Sequence, residues 1–340
     1  MKSIQSSLKK WFLSNRRSLP WRENPSPYQV WVAEVMLQQT QVNVVIPYFQ
    51  RWMKTFPTIQ ALSEASIDKV IKTWEGLGYY SRARNLHQGT QYITKHLGGI
   101  LPNSYEALVQ IKGLGPYTIG AILSFAFKQK ALAIDSNVSR VIARYNCIEE
   151  EINKKTTYKK IEKLTQIFLP NQEPWIVMEA LIELGALICK SDPKCSLCPI
   201  QKGCQAHRKC KADLLPQKRK YAKTIYLHRT VAVVLAEKKV LMRKGKKGKV
   251  MQDLWEFPYF DQGVDISQAL GISLIPIQKL PQVIHHFTRY KALLYPEMFQ
   301  AQYKECENFC WVSSKQLKEL ALSSGHRRIL YSFMFNDSFF

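Results

Sequence analysis

The sequence has no uninterrupted apolar run close to the roughly 20 residues that a bilayer-spanning helix needs. Its first segment, Met1–Trp21, is basic and amphipathic and lacks the apolar core of a secretory signal. We therefore expect a soluble chain working in the cytoplasm, away from membranes. There is no internal repeat, which removes solenoids and propellers from consideration. Acidic residues are scarce. Only 26 Asp and Glu stand against 49 Lys and Arg, a formal charge of +23. A solvated surface ordinarily mixes both signs, so this excess points to a polyanion, with nucleic acid ahead of an anionic membrane surface. The hydrophobic content of 46% is ample for packed cores, and 340 residues suit two or three domains.

Up to about residue 205 the apolar spacing is helical. Ile4–Leu13, Tyr28–Gln39, Val44–Trp52, Ile67–Trp74, Ala83–His96 and Glu179–Cys189 each fit, with Pro, Gly, Ser and Asn clusters between them. Residues 206–224 are polar and rich in Lys and Arg, and read as an interdomain linker. Beyond them the period changes to that of strands, at Thr230–Leu235, Val240–Met242 and Trp255–Tyr259. Helical spacing returns at Leu317–Leu322 and His326–Phe335. The expectation is a mainly α domain over 1–205 and a separate α+β domain over 225–340.

Three motifs carry chemistry. In Ile111-Lys-Gly-Leu-Gly-Pro-Tyr117, the glycines Gly113 and Gly115 permit a tight hairpin between helices, and Pro116 suits the first turn of the next helix. Free N–H groups there can hold a phosphate without reading sequence, although a plain helix–turn–helix joint has the same spacing. Asp135 ends an apolar run just before a helix. It is either an ordinary N-cap or a carboxylate kept ionised by the helix start and able to face a developing cation. Glu34 is the only charged residue in Val30-Trp-Val-Ala-Glu-Val-Met-Leu37. It either sits at a core edge or is desolvated, with a raised pKa that lets it donate a proton near neutrality. As a pair, one protonated and one ionised, Glu34 and Asp135 match what glycosidic cleavage through an oxocarbenium-like transition state requires.

Cys189, Cys195, Cys198 and Cys204 crowd one segment, whereas Cys147, Cys210, Cys306 and Cys310 are scattered. In a basic intracellular chain such a cluster reads as metal ligation before disulfides. A single Cys-x2-Cys knuckle with uneven flanking gaps favours an iron–sulfur cube over zinc without excluding zinc.

On these residues the chain resembles the helix-hairpin-helix DNA glycosylase superfamily, and within it the adenine DNA glycosylases of the MutY type. The likeness rests on Leu19-Pro-Trp-Arg22, Glu34-Val-Met-Leu-Gln-Gln-Thr-Gln41, Gly76-Leu-Gly-Tyr-Tyr80, the hairpin, Asp135-Ser-Asn137 and the cysteine loop. It implies a monomer that removes adenine mispaired with 8-oxoguanine from duplex DNA, after rotating the base out. It implies one 4Fe–4S cluster per chain, held by the four clustered cysteines. Glu34 matches the residue that protonates adenine, and Asp135 the carboxylate that stabilises the sugar cation. Tyr117 and Asn137 match residues that support this constellation. Gln39, Leu77 and Tyr79 match side chains that enter the base stack, and Lys112, Gly113 and Gly115 fall on the hairpin that touches DNA. Arg17, Trp21 and Glu179 are expected to line the adenine pocket. The similar endonuclease III-type enzymes place a Schiff-base lysine where this chain has Tyr117, which implies a glycosylase without lyase activity.

The C-terminal part resembles the family's Nudix-like domain at Leu241-Met-Arg243 and Leu254-Trp-Glu-Phe-Pro258. It carries no Glu-rich helix of the Nudix hydrolase type. Phe287 and Thr288 match the loop that reads 8-oxoguanine, while Arg289 replaces the usual His. Two smaller departures are a first cysteine gap one residue shorter than usual and Ser136 in place of glycine.

Overall fold

The computed structural model describes residues 2–217, 223–287 and 289–334. The chain divides into two compact units, Met1–Glu64 with Asn85–Lys220, and Ala65–Arg84 with Tyr221–Phe340. Among the described residues no helix is long and apolar enough to cross a membrane.

The first unit is helical. Two of its helices, Pro27–Leu37 and Pro174–Leu187, are apolar on nearly every side and are buried as a result, with Val30 through Met36 all inside. Both begin with proline at the first helical position, and Ser26 and Gln29 add a reciprocal cap to the earlier one. Helix Pro174–Leu187 crosses helix Ser136–Tyr145 with little space between them. A Cβ on Gly185 would lie 2.5 Å from Cβ of Asn137. The hairpin expected from the two glycines forms, and Gly113 adopts a φ of 91° that L side chains rarely take. Helix Pro116–Ala121 follows it and widens into a π-turn over Ile122–Ala126, a local form frequent at functional sites.

Residues 206–217, read from sequence as linker, fold onto this unit. Ala206, Ala212 and Leu215 are buried, the Leu215 carbonyl accepts from Arg144 Nε at 2.8 Å, and that of Gln217 accepts from Ile152 at 3.1 Å. Their polar composition conceals these few apolar anchors. The basic residues Lys218, Arg219 and Lys220 lie outside the described residues.

The second unit is a sheet of strands β1 (Ile225–Ala236), β2 (Lys239–Lys244), β3 (Trp255–Glu256), β4 (Tyr259–Asp261), β5 (Ile275–Lys279), β6 (Val283–Phe287), β7 (Tyr290–Gln300) and β8 (Cys310–Ser313). The central order is β3-β2-β1-β7-β5, with β4 on β1, β6 on β7 and β8 on β2. β1 and β7 run parallel, in register from Ile225↔Tyr290 to Leu235↔Gln300. One face packs Val231, Val233, Ala292 and Leu294 against helix Ser324–Met334 through Ile329, Leu330 and Phe333. The other packs Ala232, Val234 and Phe299 against Leu270 of the short helix Ile266–Leu270.

Several expected elements shift for local reasons. The strand read over Trp255–Tyr259 is two strands broken around Pro258, which cannot donate to a ladder. The helix expected at Leu317–Leu322 lies at Ser314–Glu319, because Ser313 and Gln316 form a capping box ahead of it. The last helix is described as far as Met334. Helix Ile67–Trp74, read as part of the first domain, groups with the second unit. Lys72 Nζ donates to the carbonyls of Lys318 and Leu320 at 2.7 and 2.9 Å. Glu75 accepts from Leu322 N at 3.1 Å and Arg327 Nε at 2.8 Å.

Replacing Gly185 with Ala should lower stability by about 1–3 kcal/mol, since the new methyl forces two packed helices apart. Urea unfolding midpoints check this, and an unchanged midpoint would show that the two helices have slack.

Candidate active site

Glu34 sits on the buried helix Pro27–Leu37 and is 6% exposed. Its Oε2 accepts a hydrogen bond from the Tyr117 hydroxyl at 2.5 Å. Burial drives the Glu34 pKa up to about 7. The Tyr117 bond opposes the rise, the negative charges of Asp135 and Glu179 add to it, and Arg22 opposes it. Tyr117, buried at its hydroxyl beside two carboxyls, is itself pushed well above the ordinary tyrosine value.

Asp135 caps helix Ser136–Tyr145. Its Oδ1 accepts from Val138 N at 2.8 Å and its Oδ2 from Asn137 Nδ2 at 2.6 Å. The sequence pattern suggested an acid simply kept ionised by the helix start. The structure adds burial, which raises its pKa on balance against the Val138 and Asn137 bonds and the nearby Arg140. Arg140 in turn donates to Asn137 Oδ1 at 2.7 Å, to the Gly185 carbonyl at 2.8 Å and to the Cys189 carbonyl at 2.6 Å.

One cavity of about 530 Å³ in the first unit is lined by Glu34, Tyr117, Asp135 and Asn137. Arg17, Trp21, Gln39 and Glu179, singled out from sequence, line it too. Trp21 is buried and meets Phe49 edge-on at 5.2 Å between ring centres. Gln39 is exposed, with a φ of 57° in the left-handed region.

Beneath these groups lies an ion-pair network that sequence reasoning missed. Glu183 is fully buried and accepts from Arg17 Nε at 2.7 Å, Arg17 Nη2 at 2.8 Å and Arg22 Nη2 at 2.8 Å. Burial alone would raise its pKa, but the Arg17 and Arg22 bonds outweigh it and bring Glu183 down to about 2. Arg22 also pairs with Glu179 at 3.6 Å. The available signal was the one that identified Glu34: Glu183 is a lone charge among apolar neighbours, four residues after Glu179.

Other predicted residues are not among those lining this cavity. Lys112 and Gly113 are exposed on the hairpin, and Gly115 is the N-cap of helix Pro116–Ala121. Leu77, Tyr79 and Phe287 line a different cavity of about 580 Å³ within the second unit, and Tyr79 holds a φ of 47°. Thr288 lies outside the described residues. Cys189, Cys195, Cys198 and Cys204 together line a small cavity of their own, where Arg144 Nη1 donates to Cys189 Sγ at 3.3 Å.

The family of HhH-GPD superfamily base excision DNA repair proteins matches residues 32–166, and the NUDIX domain family matches residues 230–332. An adenine DNA glycosylase of Buchnera aphidicola subsp. Baizongia pistaciae is 36% identical over 78% of this chain and 76% of its own length. One from Buchnera aphidicola subsp. Acyrthosiphon pisum is 30% identical over 96% of each chain. The chain belongs to the adenine DNA glycosylases. In fold it is similar to the structure of a thermostable thymine-DNA glycosylase, at a TM-score of 0.55 and 26% identity over 62% of this chain and 97% of that one. As an adenine DNA glycosylase it acts on DNA in base excision repair and hydrolyses an N-glycosyl bond. Its architecture is the helix-hairpin-helix glycosylase fold followed by a Nudix-like α+β unit.

A carboxyl held at about 7 in the fold and about 4.5 when exposed binds extra protons in the folded state between those values. Stability should therefore fall as pH rises from 4.5 to 7, by roughly 3 kcal/mol from this group, and level off above. Denaturation midpoints of wild type and Glu34→Gln across that range test this. The variant should lose this part of the slope, and parallel curves would refute the raised pKa.

Proposed function

We propose that the chain excises adenine mispaired with 8-oxoguanine or guanine from duplex DNA, acting as a monomer and leaving the strand unbroken. The observation that carries this reading is that Glu34, protonated near neutrality, and Asp135, bound by two donors that favour its ionised form, line one cavity of about 530 Å³, with room for an extruded purine nucleoside. Glu34 donates a proton to the imidazole-side ring nitrogen of the extruded adenine, which weakens the glycosidic bond. Asp135 stabilises the sugar cation as that bond breaks. Asn137 orients Asp135, and Tyr117 orients Glu34 through its short bond. Arg17, Trp21 and Glu179 form the wall against which the base rests.

The DNA contacts are assigned from the resemblance, and exposure and backbone shape support some of them. Lys112 and Gly113, exposed, and Gly115, half-buried, offer a turn to a phosphate. Gln39 in the first unit, and Leu77 and Tyr79 in the second, are assigned to the base stack. Left-handed backbone at Gln39 and Tyr79 is the kind of strain kept at working sites. Phe287 and Thr288 are assigned to the opposite base.

Cys189, Cys195, Cys198 and Cys204 are assigned a 4Fe–4S cluster with a structural role. All four thiols line one cavity, and their single Cys-x2-Cys knuckle with uneven flanking gaps favours a cube over zinc. Burial and the neighbouring thiolates push Cys198 up to about 12, and a cationic centre would relieve this by binding the thiolate form.

Glu34→Gln should cost about a hundred- to ten-thousand-fold in single-turnover adenine release from an adenine:8-oxoguanine duplex, with binding retained. An unchanged rate would remove Glu34 as the acid, and a stoichiometric borohydride-trapped adduct of the wild type would refute the monofunctional assignment. Purified protein should be brown with about four irons per chain. Colourless protein carrying stoichiometric zinc would reverse the cluster assignment.

A further inference from the structure

The side chains of β1, β6 and β7 alternate between two faces of the sheet. On the face opposite helix Ser324–Met334, helix Ile266–Leu270 packs on Ala232, Val234 and Phe299. The same face continues toward the start of β1 through different residues. The pairings Tyr226↔Lys291, Thr230↔Tyr295, Ile284↔Leu293 and His286↔Lys291 bring Tyr226, His228, Tyr295, Lys291, Ile284 and His286 to this side. Tyr226 is 58% and Ile284 40% exposed, and His228 and His286 are exposed as well. His228 lies beside Tyr295 with the rings offset and nearly parallel, centres 6.1 Å apart and planes within 13°, and its Nδ1 is 3.2 Å from the Tyr295 hydroxyl. Lys291 Nζ sits 5.5 Å from the Tyr226 ring centre. None of the six is acidic.

We propose that this half-face is a platform for single-stranded DNA. It stacks unpaired bases on Tyr226 and on the His228–Tyr295 pair and meets the backbone with Lys291. A bare sheet presenting aromatic rings beside a cation binds single strands in general, because every base has a π-face and every nucleotide a phosphate. A chain of net charge +23 draws a polyanion to such a surface. Duplex bases already have their faces covered by their neighbours, so the ligand that uses these rings is unpaired. From Tyr226 to Thr230 the strand runs about 13 Å, room for about two bases. None of these residues lines the adenine cavity, and of the six only His286 lines the cavity that holds Leu77, Tyr79 and Phe287.

Fluorescence anisotropy of the full-length chain with a labelled oligothymidylate tests this. Thymine gives the adenine cavity nothing to excise. Tyr226→Ala should weaken binding roughly ten- to a hundredfold, Tyr226→Phe should stay near wild type, and excision from a mismatched duplex should be unchanged in both. Crosslinking with 5-iodouracil in the oligonucleotide should place adducts on Tyr226, His228 or Tyr295. Unaltered affinity of Tyr226→Ala, an equal loss in Tyr226→Phe, a parallel loss of duplex excision, or adducts confined to other residues would each overturn the proposal.

Discussion

Keeping one carboxyl out of water is the constraint around which the first unit is arranged. An isolated Glu in an apolar helix is costly when ionised, and the fold resolves that cost by favouring the neutral form rather than pairing it with a cation. The helix Pro27–Leu37 is apolar on nearly every side and buried from Val30 to Met36, so Glu34 has no route to bulk solvent except through the cavity. Among the described residues its carboxyl is bonded by a phenol, which can donate to it but brings no charge.

The same cavity wall could have undone this. Arg17 and Arg22 approach it, and a free guanidinium beside Glu34 would pull its proton away. Glu183 limits that by taking both arginines in direct hydrogen bonds from beneath. It is held at about 2 and so stays an anion that offsets part of their charge, although Arg22 still draws the Glu34 pKa down. Such a buried pair adds little net stability, but losing one partner leaves an uncompensated charge. Its value here is electrostatic order: Glu183 ionised, Glu34 protonated, and Glu179 between them with Arg22 at 3.6 Å.

How much of this could be read in the sequence depended on distance along the chain. Glu34 was legible because its apolar neighbours are adjacent, and the hairpin because Gly113 and Pro116 act locally. The Glu183 network was not, since Arg17 and Arg22 lie about 160 residues before it. The contacts that group residues 65–84 with the second unit were out of reach for the same reason: Glu75 finds Leu322 and Arg327 some 250 residues later. Asp135 shows a subtler limit. Its role as an N-cap is local and was visible, but its burial comes from surrounding elements, and burial reverses the direction in which its pKa moves.

The two carboxyls are therefore distinguished above all by the donors around them. Glu34 is buried and Asp135 half-buried, and desolvation raises both. Glu34 receives one neutral hydroxyl, whereas Asp135 receives a backbone N–H at a helix start and an amide, with a guanidinium behind that amide. Every one of the Asp135 donors strengthens as negative charge settles on its oxygens, so a cation forming in the cavity finds Asp135 already prepared to be the anion. The guanidinium behind it also grips the Gly185 and Cys189 carbonyls, so the position of that anion depends on how the cysteine segment is held. A structural role for the cysteines and a chemical role for Asp135 are then two consequences of the same few hydrogen bonds.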